Sequence, residues 1–313
     1  MFTSRTEHRH SASKTVYTVD RASNAKVAVI CGGGAGHEPA YVGYTGRGLL
    51  TASVSGEIFA SPTANQILNT IRLAAFGSDL HVNSVGDKRD VLVIMNNYTG
   101  DRLNFGLAIE KARVMFPCIR ISSVVVADDV SLLRSPVAQT VGPRGLAGNI
   151  LVCKLLGALA HTGASLSTLK IYGDTVAGNI SSIGVALEHC HVPGREQGPR
   201  LDNGECELGL GLHNEPGVYR RKIDDSIQGL VAQMVEMMVD RDGPGAKFAT
   251  KEDETVLFVN NLGGVSQLEM GAFLHDLIDV LGAVSIPLGL SSFHSSIQLP
   301  ISSVQSRYSR RPI

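Results

Sequence analysis

A buried-type apolar run breaks straight into glycine near the start of this chain. Residues 26–30 (Lys-Val-Ala-Val-Ile) read as a buried strand, and Cys31-Gly32-Gly33-Gly34-Ala35-Gly36-His37-Glu38-Pro39 follows with no polar spacer. Such a strand needs neighbours on both edges and helices over both faces. The first half of the chain supplies them. Residues 49–55, 90–95 and 119–127 are further apolar or β-branched runs. Helical stripes lie between and after them: Ala64, Ile67, Leu68 and Ile71; a stretch through Ala108 and Ala112; then Leu146, Ile150, Leu151, Leu155, Ala158 and Leu159. Ser61 is the expected cap of the first helix, with Pro62 at its first position. This strand–loop–helix rhythm predicts an α/β layer with a largely parallel sheet. Ligands of such sheets sit at the carboxyl ends of the strands, where the unusual loops of this chain fall.

The second half has a different texture. Residues 183–190 and 206–212 read as strands joined by a polar, Pro- and Gly-rich connection. Ile227, Leu230, Val231, Met234, Val235 and Met238 form a helical stripe that reads as core. Residues 242–254 are a polar linker, 255–259 a strand, and Ser266 with Glu269 a capping box for a last helix. The expected architecture is two α/β lobes with mixed, largely parallel sheets flanked by helices. A polar stub (1–25) precedes a first lobe (26–165) and a second lobe (166–290). A Ser-rich tail (291–313) is expected to be disordered.

Charge and cysteine usage exclude several classes. The chain has 28 basic and 29 acidic residues with no basic cluster in its body, so no nucleic-acid partner is expected. No run of about 18 apolar residues exists, so no membrane span is expected. The polar residues 1–13 lack the apolar centre of a secretory signal; Arg5 and Arg9 among Ser and Thr leave a transit peptide as the alternative. The five cysteines are odd in number and have no C-x-x-C pair, which disfavours a disulfide scaffold or a zinc site and fits a reducing, cytoplasmic compartment.

Three loops carry the polar chemistry. In the first, glycines let backbone N–H groups approach a ligand. A dinucleotide fingerprint counted from Gly32 would need glycine at 37, where His37 stands, and no G-K-[ST] follows as a phosphate loop would require. The plain alternative is a tight turn, against which His37 among backbone donors suits acid–base work. The second loop, Asn97-Tyr98-Thr99-Gly100-Asp101, offers a carboxylate that either accepts a proton or merely caps a helix. The third, Gly209-Leu210-Gly211-Leu212-His213-Asn214-Glu215-Pro216, echoes the first by placing a histidine after a glycine-rich turn. His189-Cys190-His191 is a poor metal site, because neighbours along a strand point to opposite faces. These residues suit a small polar ligand and do not name a reaction.

The segments KVAVICGGGAGHEPAYVGYTGRG, GEIFASPTANQIL, NNYTGDRLNFGLAIEKAR, RGLAGNILVCKLLGA, SIGVALEHCHVPGR, ELGLGLHNEPGV and VLFVNNLGGVS span roughly residues 26–266. Together, and in order, they closely resemble the dihydroxyacetone kinase family, specifically its substrate-binding domain. HCHVPGR, HNEPG and NNLGGVS look most like fungal and other eukaryotic members. The resemblance implies that His213 forms a covalent hemiaminal with the carbonyl carbon of dihydroxyacetone or a similar short sugar. It implies His37 and Asp101 as the acid–base pair at the accepting hydroxyl. It assigns Gly34, Ala35 and Gly36, with Asn96 and Asp101, to substrate binding. ATP and Mg2+ would be held by a separate helical domain acting in trans, the chain itself having no metal site, and a homodimer is expected.

Three departures accompany the resemblance. Family members usually carry Lys where Asn96 stands. Only a polar stub is expected before Lys26, and the resemblance is expected to end after about residue 281, with no nucleotide-binding domain expected in the residues beyond it. The second reading is therefore a catalytically impaired triose-binding or regulatory homologue. A dinucleotide-dependent oxidoreductase is a third, disfavoured by His37.

Overall fold

The computed structural model describes residues 7–18, 25–77, 88–133, 142–192, 194, 201–223, 227–239, 255–262, 265–284 and the backbone of 304–307. It divides into two compact units: Met1–Ala127 with Asn149–Gly178, and Asp128–Gly148 with Asn179–Ile313.

The first unit is built on a six-stranded sheet. Its strands are β1 (Glu7–His10), β2 (Thr15–Thr18), β3 (Val27–Ala35), β4 (Ala52–Ile58), β5 (Asp90–Asn96) and β6 (Ile121–Val126), in the order β1-β2-β4-β3-β5-β6. β4, β3, β5 and β6 are mutually parallel, and the β1–β2 hairpin continues the sheet antiparallel beyond β4. Helices α1 (Ala64–Phe76), α2 (Thr99–Met115), α3 (Gly148–His161) and α4 (Leu166–Gly178) belong with it. Ile30, Val54, Ile67, Ile71, Val93, Phe105 and Ala108 are fully or almost fully buried in one cluster between the sheet and α1 and α2. α4 lies so close to β6 that a Cβ on Gly173 would come within 2.7 Å of Val124 Cγ2.

Thr63, not Ser61, caps α1. Its hydroxyl accepts from the Gln66 N–H, and Gln66 Oε1 accepts from the Thr63 N–H, a complete capping box. That releases Ser61 for another task.

The second unit carries a five-stranded sheet in the order β10-β11-β7-β8-β9. These are β7 (Ile183–Ala186), β8 (Glu205–Leu208), β9 (Tyr219–Lys222), β10 (Val259–Asn261) and β11 (Val304–Arg307), flanked by α5 (Gln228–Val239) and α6 (Gln267–Ala283). β10, β11 and β7 are parallel, while β7, β8 and β9 alternate. Leu230, Val231, Met234 and Val235 of α5 pack with Ile183, Leu208, Phe273 and Leu277, so the methionine stripe is core. Ser266 and Glu269 form the expected capping box.

The architecture is thus the two-lobed α/β arrangement expected, with three differences. The single boundary near 165 is replaced by a double crossing: the chain leaves the first unit after Ala127 and returns through Asn149–Gly178, because α4 packs on β5 and β6 and α3 is bonded to the end of β5 through Asn149 and Asn96. Within the polar residues 1–25, 7–18 form β1 and β2. Thr15 is buried because its hydroxyl is bonded to Ser13 Oγ (2.8 Å) and Thr70 Oγ1 (2.7 Å), which satisfies its polarity. Within the tail, 304–307 forms β11, and the remainder lies outside the described residues. Among the described residues, no helix is long and apolar enough to cross a membrane.

Candidate active site

In the first unit the carboxyl ends of β3, β4 and β5 bring two of the expected residues to one turn. The glycine loop packs against residues 58–61. A Cβ on Gly34 would sit 2.8 Å from the Ala60 nitrogen, and one on Gly36 would sit 2.7 Å from Phe59 Cε1. Gly36 also has φ +100°, a conformation closed to most side chains. Phe59 itself adopts φ +56° and stacks on the His37 ring, with centroids 5.2 Å apart and planes 14° from parallel. A strained non-glycine residue of this kind marks a position that its surroundings over-determine. Two residues on, Ser61 Oγ donates to Asp101 Oδ1 at 2.5 Å. His37 and Asp101 are therefore both docked on residues 59–61. Gly36→Ala is expected to lower stability by about 1–3 kcal/mol. Urea unfolding measures this, and a loss below roughly 0.5 kcal/mol would show that the loop relaxes around the new methyl.

Asp101 is buried in the first turn of α2, where the positive end of the helix favours a carboxylate. No side chain caps α2 at Tyr98. Glu38 closes the glycine loop by accepting the Gly36 N–H at 3.0 and 3.2 Å. Asn96 ends β5 and is buried: its Nδ2 donates to Tyr41 Oη (2.7 Å), and its Oδ1 accepts from Asn149 Nδ2 (2.6 Å).

In the second unit, His213 sits on a turn whose geometry is set by Glu215. Glu215 Oε1 accepts from His213 Nδ1 (2.8 Å), and Oε2 accepts from the His213 backbone N–H (2.9 Å). Burial alone would raise the Glu215 carboxyl, but the ring and backbone bonds from His213 outweigh it and hold the pKa at about 2. A carboxylate on Nδ1 holds a proton at that nitrogen and orients the ring. Asn214 adopts φ +64° and clamps residue 190, accepting the Cys190 N–H and donating to the Cys190 carbonyl, both at 2.8 Å.

The turn rests on a buried ion pair. Arg144 donates to Asp129 Oδ2 through Nε (2.7 Å) and Nη2 (2.6 Å), and Nη2 also reaches the Gly209 carbonyl (2.6 Å). Asp129 further accepts from the Ser131 N–H and hydroxyl. Asp128 accepts from the backbone N–H groups of Leu146 (2.7 Å) and Gly148 (2.9 Å) at the start of α3; burial raises its pKa against those bonds. Glu207, also buried, ties together His189 Nε2 (2.9 Å), the Gly217 N–H (2.6 Å) and Arg220. His191 turns instead to Glu188, so the His-Cys-His triplet does not converge. Among the described residues, no group of three or more His, Cys, Asp or Glu could hold a metal ion.

Glu215, Asp129, Arg144, Tyr41 and Asn149 were not expected from sequence. Only Glu215 had a local signal, the His-x-Glu spacing; the others meet their partners through the fold.

A family model described as the Dak1 domain matches residues 2–291. The chain belongs to the Dak1 family of dihydroxyacetone kinases. This Dak1 chain is 38% identical to dihydroxyacetone kinase 2 of Saccharomyces cerevisiae over 85% of its own length, and spans 43% of that relative. It is also 38% identical, over 88% of its length and 77% of the other chain, to the dihydroxyacetone-binding subunit DhaK of a PTS-dependent dihydroxyacetone kinase of Listeria innocua. Among solved structures it resembles the dihydroxyacetone kinase operon co-activator DhaQ, with TM-score 0.78 and 27% identity over 96% of this Dak1 chain and 83% of that one. The chain thus spans less than half of the yeast kinase and most of the two shorter relatives.

Proposed function

We propose that this chain is the substrate-binding component of a dihydroxyacetone kinase, binding the triose covalently before phosphate transfer. The observation that carries the reading is the Glu215 clasp on His213, which fixes the ring through Nδ1 and the backbone N–H and makes Nε2 the nucleophile of this proposal. Nε2 attacks the carbonyl carbon; the N–C bond forms, the carbonyl π bond breaks, and the oxygen takes up one proton from solvent. The ring becomes cationic and keeps its proton on Nδ1, hydrogen-bonded to Glu215, which stays ionised far below neutral pH. A triose offers few atoms for non-covalent contact, so a reversible bond supplies affinity and selects carbonyl compounds over glycerol. At the accepting hydroxyl, Asp101 and His37 serve as the acid–base pair while the 34–36 backbone cradles the substrate. The γ-phosphate comes from ATP on a separate domain. Homodimerisation and a cytoplasmic location go with the same reading.

Carbon-13 NMR of dihydroxyacetone labelled at its carbonyl carbon tests the binding step. The resonance is expected to move from the ketone region to the tetrahedral region on adding protein, and glycerol at equal concentration is expected not to compete. A ketone resonance unchanged by an excess of folded protein would sink the proposal. Supplying the ATP-binding domain of a relative, with ATP and Mg2+, is then expected to yield dihydroxyacetone phosphate.

The second reading is a triose-binding regulator. The likeness to a co-activator and the neutral Asn96 favour it. An adduct that forms normally, with no phosphate transfer in the supplemented assay, would select it.

A further inference from the structure

We propose that Tyr41, Asn96 and Asn149 form a buried hub that positions the glycine loop and the start of α2, so that Asn96 serves the site through backbone placement and does not touch substrate. The functional consequence rests on the triose-binding reading; the positioning itself does not.

Asn96 is 4% exposed, Tyr41 6% and Asn149 0%. The three side chains close a triangle. Asn149 Nδ2 donates to Asn96 Oδ1 (2.6 Å) and to Tyr41 Oη (3.1 Å), while Asn96 Nδ2 donates to the same phenol oxygen (2.7 Å). Both Asn96 heteroatoms are thus engaged by buried neighbours. Two thiols continue the network: Cys153 Sγ donates to Asn149 Oδ1 at 3.3 Å, and Cys31 Sγ lies 3.8 Å from the same oxygen. Burial, then the nearby thiols and Asp101, push the Tyr41 phenol well above its ordinary range, so it remains a neutral hydroxyl.

Two corners lie beside site residues, and the third ties them to α3. Cys31 immediately precedes Gly32, and the Tyr41 ring packs under Gly33, where a Cβ would stand 3.1 Å from Tyr41 Cε2. Asn96 ends β5, five residues before Asp101. Asn149 lies in the first turn of α3. Partly satisfied buried networks are costly, so the triangle holds these three segments in one arrangement. Disturbing any corner is expected to loosen the other two.

Hydrogen exchange on the unliganded chain tests this with Asn149→Ala, Asn96→Ala, Tyr41→Phe and the double Asn96→Ala/Asn149→Ala. Tyr41→Phe keeps the ring under Gly33 and removes only the shared oxygen, so it is the variant expected to stay folded. Each single change is expected to speed exchange about tenfold at both 32–36 and 97–101, and the double change no further than either single. The half-saturating dihydroxyacetone concentration in the NMR assay is expected to rise by the same factor for Asn149→Ala as for Asn96→Ala. Exchange altered only in the replaced residue's own segment would overturn the hub. So would an affinity loss in Asn96→Ala that Asn149→Ala and Tyr41→Phe do not share, since that is the signature of a direct substrate contact. A wild-type chain that forms no adduct would remove the triose reading, while the exchange comparison would still decide the hub.

Discussion

His213→Ala is expected to abolish the tetrahedral carbon signal of bound dihydroxyacetone altogether. The reasoning starts from the ring's surroundings. Glu215 accepts hydrogen bonds from His213 Nδ1–H and from the His213 backbone N–H together, which holds the imidazole in one orientation. Alanine removes the only atom proposed to bond the carbonyl carbon, while the half-buried position spares the core. Glu215→Gln is the finer test. The amide can still accept from one N–H but cannot neutralise the cationic ring of the adduct, so affinity is expected to fall by about 10- to 100-fold, as for loss of a group that orients and charges a histidine. The pH dependence carries a sign that distinguishes this carboxylate. Its folded pKa, about 2, lies below the ordinary 4.5, so its contribution to stability is complete above about 4.5 and is lost as pH falls toward 2. Thermal unfolding of wild type and Glu215→Gln is therefore expected to differ above pH 4.5 and to converge below it. A difference that grows on acidification would contradict the clasp, as would a tetrahedral signal in His213→Ala.

The second large effect lies beneath the same turn. Arg144→Met is expected to destabilise the protein by about 3–5 kcal/mol, because it leaves the Asp129 carboxylate buried beside apolar atoms with its cation gone. Asp129 has no exposed side-chain surface and Arg144 only 9%, so solvent cannot take over the pairing. The Gly209 carbonyl loses its donor in the same step. The double change Arg144→Met/Asp129→Leu is expected to recover most of the loss, since it removes the stranded charge as well. Urea denaturation measures both. A shift under roughly 1 kcal/mol for the single change would mean that the pair contributes no more than a surface one.

Much of the first sheet was legible because its parallel strands are apolar or β-branched runs that end in glycine, asparagine or aspartate. Such runs need no partner to be recognised. The β1–β2 hairpin was hidden by its composition. Glu7, His8, Arg9 and His10 look like solvated chain, and Thr15 is buried only because Thr70, 55 residues away, completes its hydroxyl bonding. The double crossing between units was hidden because only the packing of α3 and α4 decides which sheet they join. Among the candidate residues, His37, Asp101 and His213 stood out because polar groups at the ends of apolar runs are conspicuous. Tyr41 and Asn149 did not, being 55 and 53 residues from Asn96 and joined to it only by side-chain bonds. Glu215 was in plain view, but its two bonds to His213 depend on a turn at Asn214 with positive φ.

The hairpin also bears on how the chain behaves in crowded solution. β4 would otherwise present a free row of amides along residues 52–54, an alanine–serine–valine stretch without charge to discourage another chain from adding a strand. β2 occupies that row, and β1 then offers the medium an edge made of Glu7, His8, Arg9 and His10. Charged side chains of both signs on a four-residue strand make a poor template for intermolecular pairing. A strongly polar hairpin thus shields a parallel sheet from the edge-to-edge pairing that leads to aggregates.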